Sequence, residues 1–228
     1  MGECMNEVYK IEEFVKNEFI KLKRTNAKTI GQVASRIYKY VPKDEGFKDV
    51  IEHFFSINTY GYFSVATLWI KKHKETIEMK NMDFYEDLLY KYVKGWAKVD
   101  QFCYRCMNPM IELEDNNFEY LLKWSNTKDK DLKRASLVSM IKSSGKLTLD
   151  YDYDKMIYLV ELLKEDEDIH VRKAVGWVLK CAFVTYPKKI EKYLRDNVKN
   201  LDRLIFRYAL EHVNDPLRKE LINLEYRS

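Results

Sequence analysis

Trp96 and Asp100 are the two residues of this chain whose types and spacing could do chemistry. They are four positions apart, so on an α-helix they lie one turn apart on the same face. A carboxylate stabilises a developing positive charge, and the face of an indole attracts a cation. Taken alone, the pair is more typical of a core tryptophan beside a solvated surface acid, so the rest of the chain has to decide between the two interpretations.

Composition predicts an all-α protein. The chain has 228 residues, of which 46% are hydrophobic, which suits a globular core. It contains only 7 glycines and 4 prolines. These are too few turn-forming residues for a many-stranded sandwich or barrel, and they fit helices joined by short polar loops.

Helical periodicity divides the chain into amphipathic segments. The predicted helices are 9–23, 29–40, 47–55, 60–73, 83–94, 98–107, 118–124, 132–142, 154–163, 171–185, 190–196, 201–212 and 217–224. The breaks at 42–46, 125–127, 143–145 and 214–216 carry residues typical of turns and helix caps.

Several of these helices look like copies of one another. Residues 132–138 align with 171–177 and more loosely with 201–205. The offsets of 34 residues from Asp100 to Arg134 and of 38 from Arg134 to Arg172 are near the period of a two-helix HEAT-type repeat. We therefore predict one HEAT-like repeat domain over 1–228, stacked into a curved solenoid, with 1–26 as an N-terminal helix that either caps one end or closes over a bound ligand. Asp100, Arg134 and Arg172 would be neighbours on its concave face.

The charge of the chain is nearly balanced, with 40 basic and 36 acidic residues and a net charge of +4, which does not by itself indicate a nucleic-acid partner. The two signs are segregated, however. Basic residues gather at 71–74, 128–134, 172–173 and 188–189, and acidic residues at 112–115 and 165–168. This distribution fits either one basic, concave face or solvated charges on loops.

Metal, redox and phosphate-loop chemistry find little support. Cys103 and Cys106 are spaced as a pair, but no second pair matches them and they fall inside a predicted helix, so we expect buried, inert thiols. The four histidines form no metal-binding motif, and the glycines form no phosphate-binding loop. We therefore expect no metal and no cofactor. Trp69 and Trp124 lie in apolar stripes and are predicted to be core residues.

Three blocks, 95–100, 132–136 and 172–180, together resemble the AlkD-like DNA alkylation repair family, DNA glycosylases built from HEAT-like repeats. The third resembles the family's KAxGWxLR helix, with Lys180 where arginine is common, and 206–211 resembles its last inner helix. The resemblance extends from about 27 to 221. One departure is Ala97, because the family commonly reads Trp-Asp-x-Val-Asp and a second carboxylate is missing here.

The resemblance implies roles for individual residues. Asp100 would be the catalytic carboxylate, and Trp96 and Trp177 would flank the damaged nucleotide. Without the resemblance, the apolar neighbours of Trp177 favour a buried core position. The residues implied to bind DNA, with Arg134 on the backbone beside the lesion, are Arg134, Arg172, Lys173 and Lys180.

The implied activity is excision of N3- and N7-alkylated purines, such as 3-methyladenine and 7-methylguanine, from duplex DNA at the start of base excision repair. One carboxylate suffices in this chemistry, because a purine that is already cationic departs without a general acid, whereas ordinary glycosidases use two carboxyl groups. The implied partner is double-stranded DNA with alkylated bases. The chain lacks an apolar run of about 18 residues and a leader, so we expect a cytoplasmic, bacterial-type monomer associated with the nucleoid when bound to DNA.

The alternative is a non-catalytic repeat protein that binds DNA structure or another protein on the same face. Asp100 between two tryptophans distinguishes the two hypotheses. An ionised acid in a basic groove repels phosphates and has no use in a scaffold, so its presence favours catalysis.

Overall fold

The computed structural model describes residues 2–144 and 146–224, and the side chains of all of these except 2–6 and 143–147. The predicted all-α class is confirmed: apart from two short paired strands, the regular secondary structure of the described residues is helical. The chain divides into two compact units, Met1–Lys94 and Gly95–Ser228. The single repeat domain over 1–228 stays a prediction.

The first unit is built of helices joined by short turns. Its helices are α1 (Gly2–Ile20), α2 (Ala27–Ile37), α3 (Gly46–Ser56), α4 (Tyr60–Lys72) and α5 (Met82–Tyr92). Asn26 starts α2 through a capping box with Thr29. Helix α1 packs on α2 and α3. Trp69 is buried, as predicted, and its indole N–H donates to the carbonyl of Ala34 at 2.8 Å.

The second unit carries more and shorter elements. In chain order they are α6 (Trp96–Phe102), a π-helical turn (Cys103–Met107), α7 (Asn108–Ile111), α8 (Phe118–Ser125), α9 (Lys130–Val138), β1 (Lys142–Ser144), β2 (Lys146–Thr148), α10 (Tyr153–Leu163), α11 (Ile169–Thr185), α12 (Pro187–Asp196), α13 (Arg203–Ala209) and α14 (Asp215–Ile222). Helices α6, α9, α11 and α13 pack side by side in that order. Helices α8, α10 and α12 pack behind them on α9 and α11, which makes the two layers expected of stacked helical pairs.

Helices α6, α9, α11 and α13 form the front layer. From α9 onward, each helix of this layer begins at an aspartate that caps it. Asp129 caps α9, Asp168 caps α11 and Asp202 caps α13, and each side chain accepts hydrogen bonds from backbone N–H groups of the first turn. The caps are 39 and 34 residues apart. They give a structural register for the repeat that does not depend on sequence similarity.

In this register the fifth residue after the cap is Arg134 in α9, Lys173 in α11 and Arg207 in α13. Asp100 takes the same place in α6, which begins after Gly95. The 38-residue offset from Arg134 to Arg172 is therefore corrected to 39, since Lys173 and not Arg172 corresponds to Arg134. The looser alignment with 201–205 is also out of register.

Three predicted helices end or change where local chemistry overrides the apolar pattern. The predicted helix 132–142 stops at Val138, and Lys142–Ser144 pairs antiparallel with Lys146–Thr148 instead. The predicted helix 201–212 is helical only over Arg203–Ala209. The predicted helix 98–107 turns π-helical over Cys103–Met107. Pro109 follows that turn; its ring would clash with the carbonyl four residues back in a regular α-helix, and the wider turn avoids the clash.

Cys103 and Cys106 are fully buried and take part in no disulfide bond, as expected. Burial raises the pKa of the Cys103 thiol to about 12, so it stays protonated and unreactive at neutral pH. Among the described residues, no three histidine, cysteine or acidic side chains converge as metal ligands. No helix of the described chain is long and apolar enough to cross a membrane.

Candidate active site

The second unit has a cavity of about 280 Å³ against its front-layer helices. Its walls come from α6, α9, α11 and α13, which are far apart in sequence and adjacent in space. The residues that line it are Trp96, Asp100, Arg134, His170, Lys173, Trp177, Lys180 and Tyr208. The structure thus brings together six of the seven residues predicted for the site.

Gly95 fixes the direction in which α6 begins. Its φ of +82° lies in the left-handed region that favours glycine. Its backbone N–H donates to the carboxylate of Asp131 at 3.0 Å, which ties the start of α6 to the neighbouring helix α9. Trp96 follows directly and is 53% exposed, so the indole is available to a ligand and is not a core residue.

Asp100 is held by a two-point ion pair with Arg134. The Nε of Arg134 donates to Oδ1 of Asp100 at 2.7 Å, and Nη2 donates to Oδ2 at 2.8 Å. Nη1 of Arg134 donates to the backbone carbonyl of His170 on α11. Arg134 is only 5% exposed. Its guanidinium therefore orients the carboxylate and is turned away from solvent, while its implied contact with a DNA backbone stays a prediction.

Two opposing influences act on the pKa of Asp100. Burial raises this pKa above the ordinary value and is the larger effect. The hydrogen bonds and charge of Arg134, and the charge on His170, act in the opposite direction. Because both oxygens accept hydrogen bonds from Arg134, the geometry is that of an ionised carboxylate. The site thus holds a desolvated anion in a fixed orientation.

Aromatic rings flank this carboxylate. The indole of Trp96 is stacked with the imidazole of His170, with ring centroids 6.1 Å apart and an angle of 9° between the planes. Trp177 is half-buried and makes an edge contact with Tyr104, with centroids 6.5 Å apart. Both predicted tryptophans line the cavity, so the core position that the neighbours of Trp177 favour is not what the structure shows.

The sequence did not single out His170 and Tyr208. His170 stands two residues after the cap Asp168, and its backbone N–H donates to that cap at 2.7 Å. The regular spacing of the caps could have drawn attention to the first turn of α11, where His170 lies. Tyr208 reaches the cavity because α13 packs closely on α11.

Gly176 is the reason for that close packing. A Cβ at this position would lie 2.5 Å from Cβ of Tyr208 and 3.1 Å from the backbone oxygen of Ile205. Such a short contact with a backbone-fixed atom would force the two helices apart. The glycine between Val175 and Trp177 therefore sets the distance between the walls that carry Trp177 and Tyr208.

The predicted basic residues fall into two groups. Lys173 and Lys180 line the cavity. Lys180 forms an ion pair with Glu211 at 2.8 Å, whereas Lys173 forms no hydrogen bond or ion pair with any residue that the structure describes. Lys173 is therefore a cation available to an anionic ligand.

Arg172 lies outside the cavity lining and joins successive repeats. Its Nε lies 2.9 Å from the carboxylate of Asp202, the cap of α13, and its Nη1 donates to the carbonyls of Asp166 and Glu167 at 2.6 and 3.1 Å. Lys133 in the preceding repeat likewise pairs with Asp166 at 2.5 Å. The geometry therefore does not favour the predicted role of Arg172 in DNA binding.

A family model described as DNA alkylation repair enzyme matches residues 9–213 of this chain. The chain belongs to this family. Two solved structures have the same fold. The crystal structure of AlkD2 from Streptococcus mutans matches with a TM-score of 0.63 and 16% identity, covering 90% of this chain and 100% of that one. The crystal structure of smu.31 from Streptococcus mutans UA159 matches with a TM-score of 0.63 and 15% identity, covering 91% and 100%.

No curated protein matches the chain. At these identities the two solved structures show the helical-repeat fold alone. The family assignment confirms the resemblance drawn from 95–100, 132–136 and 172–180, and it makes this chain a member of a DNA alkylation repair family. Its substrate and the roles of its residues rest on the geometry of the cavity.

Proposed function

We propose that the protein is a DNA glycosylase that excises positively charged N3- and N7-alkylated purines from duplex DNA. The observation that carries the proposal is the Asp100 carboxylate, held by Arg134 at both oxygens in a cavity lined by two tryptophans. A buried, oriented anion between aromatic faces suits a reaction in which positive charge develops next to it.

In the reaction, the bond between C1′ of the deoxyribose and the purine nitrogen breaks, and its electron pair goes to the base. The cationic base leaves as a neutral molecule, so it needs no acid to protonate it. The positive charge moves to the sugar, where the carboxylate of Asp100 stabilises it. A water molecule adds its oxygen to C1′ and gives its proton to Asp100 or to solvent, which leaves an abasic sugar.

Selectivity follows from charge. Each indole face attracts a cation by roughly 0.5–2 kcal/mol, so Trp96 and Trp177 favour a cationic base over a neutral one. Uncharged lesions such as 1,N6-ethenoadenine should be poor substrates, because their leaving group still needs a proton. Ala97 removes the second carboxylate of the family pattern, and the proposal assigns the chemistry to Asp100 alone.

DNA binding is assigned to the two lysines that line the cavity. Lys173, without an intramolecular partner among the described residues, contacts a phosphate next to the lesion, and Lys180 can exchange Glu211 for a second phosphate. All lining residues come from the second unit of a single chain, so a monomer can act on duplex DNA, and the proposed steps use no cofactor.

The test is release of 7-methylguanine and 3-methyladenine from methylated duplex DNA, with DNA binding measured alongside. The variants are Asp100→Asn and, as a control of the same chemistry, Asp154→Asn, an exposed acid on α10. We expect release by the wild type and the control and a loss of about 100-fold or more in Asp100→Asn with binding retained, since a preorganised electrostatic group contributes at least that much.

Full activity of Asp100→Asn would show that Asp100 is not the catalytic carboxylate. Tight DNA binding without release by the wild type would favour a non-catalytic DNA-binding protein.

A further inference from the structure

His170 is the one titratable ring stacked on the exposed tryptophan in the described part of the cavity. Its imidazole lies parallel to the indole of Trp96, and the two rings come from different helices, α11 and α6. Phenylalanine or tyrosine would give the same stacking without a charge change near neutral pH. Histidine can gain a proton there, which turns the contact into a cation on an indole face.

The backbone of His170 is tied to the carboxylate site. Its N–H donates to the cap Asp168 at 2.7 Å, and its carbonyl accepts a hydrogen bond from Arg134, the residue that holds Asp100. The side chain is half-buried and lines the cavity. The imidazole therefore has a fixed place beside both Trp96 and Asp100 while remaining open to exchange of protons with solvent.

We propose that His170 is a specificity-determining residue that favours a cationic base in the cavity when its imidazole is neutral. This inference rests on the proposed function and deepens it. The neutral ring supports Trp96 from behind and leaves the indole face and the carboxylate of Asp100 to the lesion. The protonated ring places its own positive charge beside Trp96 and Asp100. There it repels a cationic purine and the cationic sugar that forms when this purine leaves.

Charged groups of both signs face His170 from the elements packed around it. The acids are Asp100 on α6 and the cap Asp168, which both interact electrostatically with His170. The bases are Arg134 on α9, which contacts the carbonyl of His170, and Lys173 on α11, which lines the same cavity. Lys130 also lies here through its ion pair with Asp168 at 3.6 Å. The charges around His170 thus come from the cavity and from the repeat cap.

The first arm of the test uses the free protein. Trp96 fluorescence is isolated as the difference between the wild type and Trp96→Phe and is followed from pH 8 to 5, the range in which imidazoles gain a proton. A protonated imidazole stacked on an indole quenches its emission. We expect quenching toward acid pH in the wild type and a flat signal in His170→Phe, which keeps a stacked ring but cannot be protonated.

The second arm measures the single-turnover excision rate of 7-methylguanine over the same pH range. Both proteins retain Asp100, and the charge on His170 lowers the pKa of Asp100 in the wild type. That effect keeps Asp100 ionised and would raise the wild-type rate toward acid pH, so a fall of the ratio of the wild-type rate to the His170→Phe rate does not come from Asp100. We expect this ratio to fall by about threefold toward acid pH, the effect of two unit charges about 6 Å apart in a water-like dielectric. His170→Gln, also uncharged, replaces His170→Phe if that variant fails to fold.

The outcomes separate the two proposals. A Trp96 signal that does not change with pH, or that still changes in His170→Phe, overturns the inference even if the protein excises bases. An excision ratio that is constant with pH also overturns it. If the wild type excises nothing at any pH, the proposed function is wrong. The role of His170 in selecting a cationic base is then wrong as well, even if the fluorescence titration shows that His170 and Trp96 are coupled.

Discussion

Arg134 grips both carboxylate oxygens of Asp100, with its Nε 2.7 Å from Oδ1 and its Nη2 2.8 Å from Oδ2. The two residues are 34 positions apart and occupy the same place in neighbouring helices α6 and α9. A parallel two-point contact fixes the plane of the carboxylate as well as its position. The same position of the repeat therefore holds the acid in α6 and, in the next front-layer helix α9, the arginine that orients this acid.

Replacement of Arg134 by methionine should destabilise the protein by about 3 kcal/mol, because it leaves a mostly buried carboxylate without its partner. Urea denaturation measures the loss. Arg195→Met is the control: Arg195 pairs with Glu191 and Glu220 at the surface and should cost less than about 1 kcal/mol. In the double variant Asp100→Asn with Arg134→Met, the two losses should not add. Additive losses would mean that the pair contributes no coupling.

The sequence predicted Asp100 and both tryptophans of the cavity, because a one-turn spacing and a family pattern are local features that survive in the primary structure. The family resemblance implied that Arg134 and Arg172 bind DNA. Burial and the choice of partner are properties of the folded repeat, so the sequence could not show that Arg134 binds Asp100 and that Arg172 binds Asp202.

The helices Tyr153–Leu163 and Ile169–Thr185 were predicted well, because an aspartate cap and an apolar stripe agree there. The paired strands Lys142–Ser144 and Lys146–Thr148 were missed because apolar residues continue the helical pattern beyond the end of α9, namely Met140 and Ile141. His170 was missed because a lone histidine carries no motif. The role proposed for it depends on the ring of Trp96, which lies 74 positions earlier in the chain and meets it only after folding.

Excision should decline at acid pH as Asp100 gains a proton. Burial raises the pKa of Asp100 above its ordinary value of 3.8, so the ionised, active fraction is lost as the pH falls through a value above 3.8. Arg134 opposes this rise, so Arg134→Met should move the acid limb of the pH–rate profile toward neutral pH. The profile is best measured in His170→Phe, because this variant lacks the imidazole. An unchanged limb in Arg134→Met would mean that another group controls it.

Lys173→Ala should weaken binding to duplex DNA. The negative slope of log K against log salt should become less steep by about one, because one phosphate contact and its released counterion are lost. Arg172→Ala should leave the slope unchanged and reduce stability, since Arg172 joins repeats through Asp202. Lys192→Ala is the control for loss of a charge: Lys192 lies exposed on α12 and pairs with Asp196. Fluorescence anisotropy at several salt concentrations measures the three slopes. A less steep slope in Arg172→Ala than in Lys173→Ala would show that Arg172, and not Lys173, contacts a phosphate.

Gly176→Ala should destabilise the protein by about 1–3 kcal/mol, the usual cost of overpacking. The added Cβ would lie 2.5 Å from Cβ of Tyr208, so α13 must move away from α11. Gly31→Ala in α2 is the matched control. Nothing lies within 4 Å of a Cβ there, and alanine should stabilise that helix by up to about 1 kcal/mol.

The change from glycine to alanine should therefore lower the stability of the protein at Gly176 and raise it at Gly31. Thermal denaturation measures both changes. The displaced Tyr208 should also widen the cavity and reduce excision in Gly176→Ala, while Gly31→Ala keeps the wild-type rate. A stabilised Gly176→Ala would show that the front-layer helices tolerate a wider spacing and that Gly176 does not set the distance between Trp177 and Tyr208.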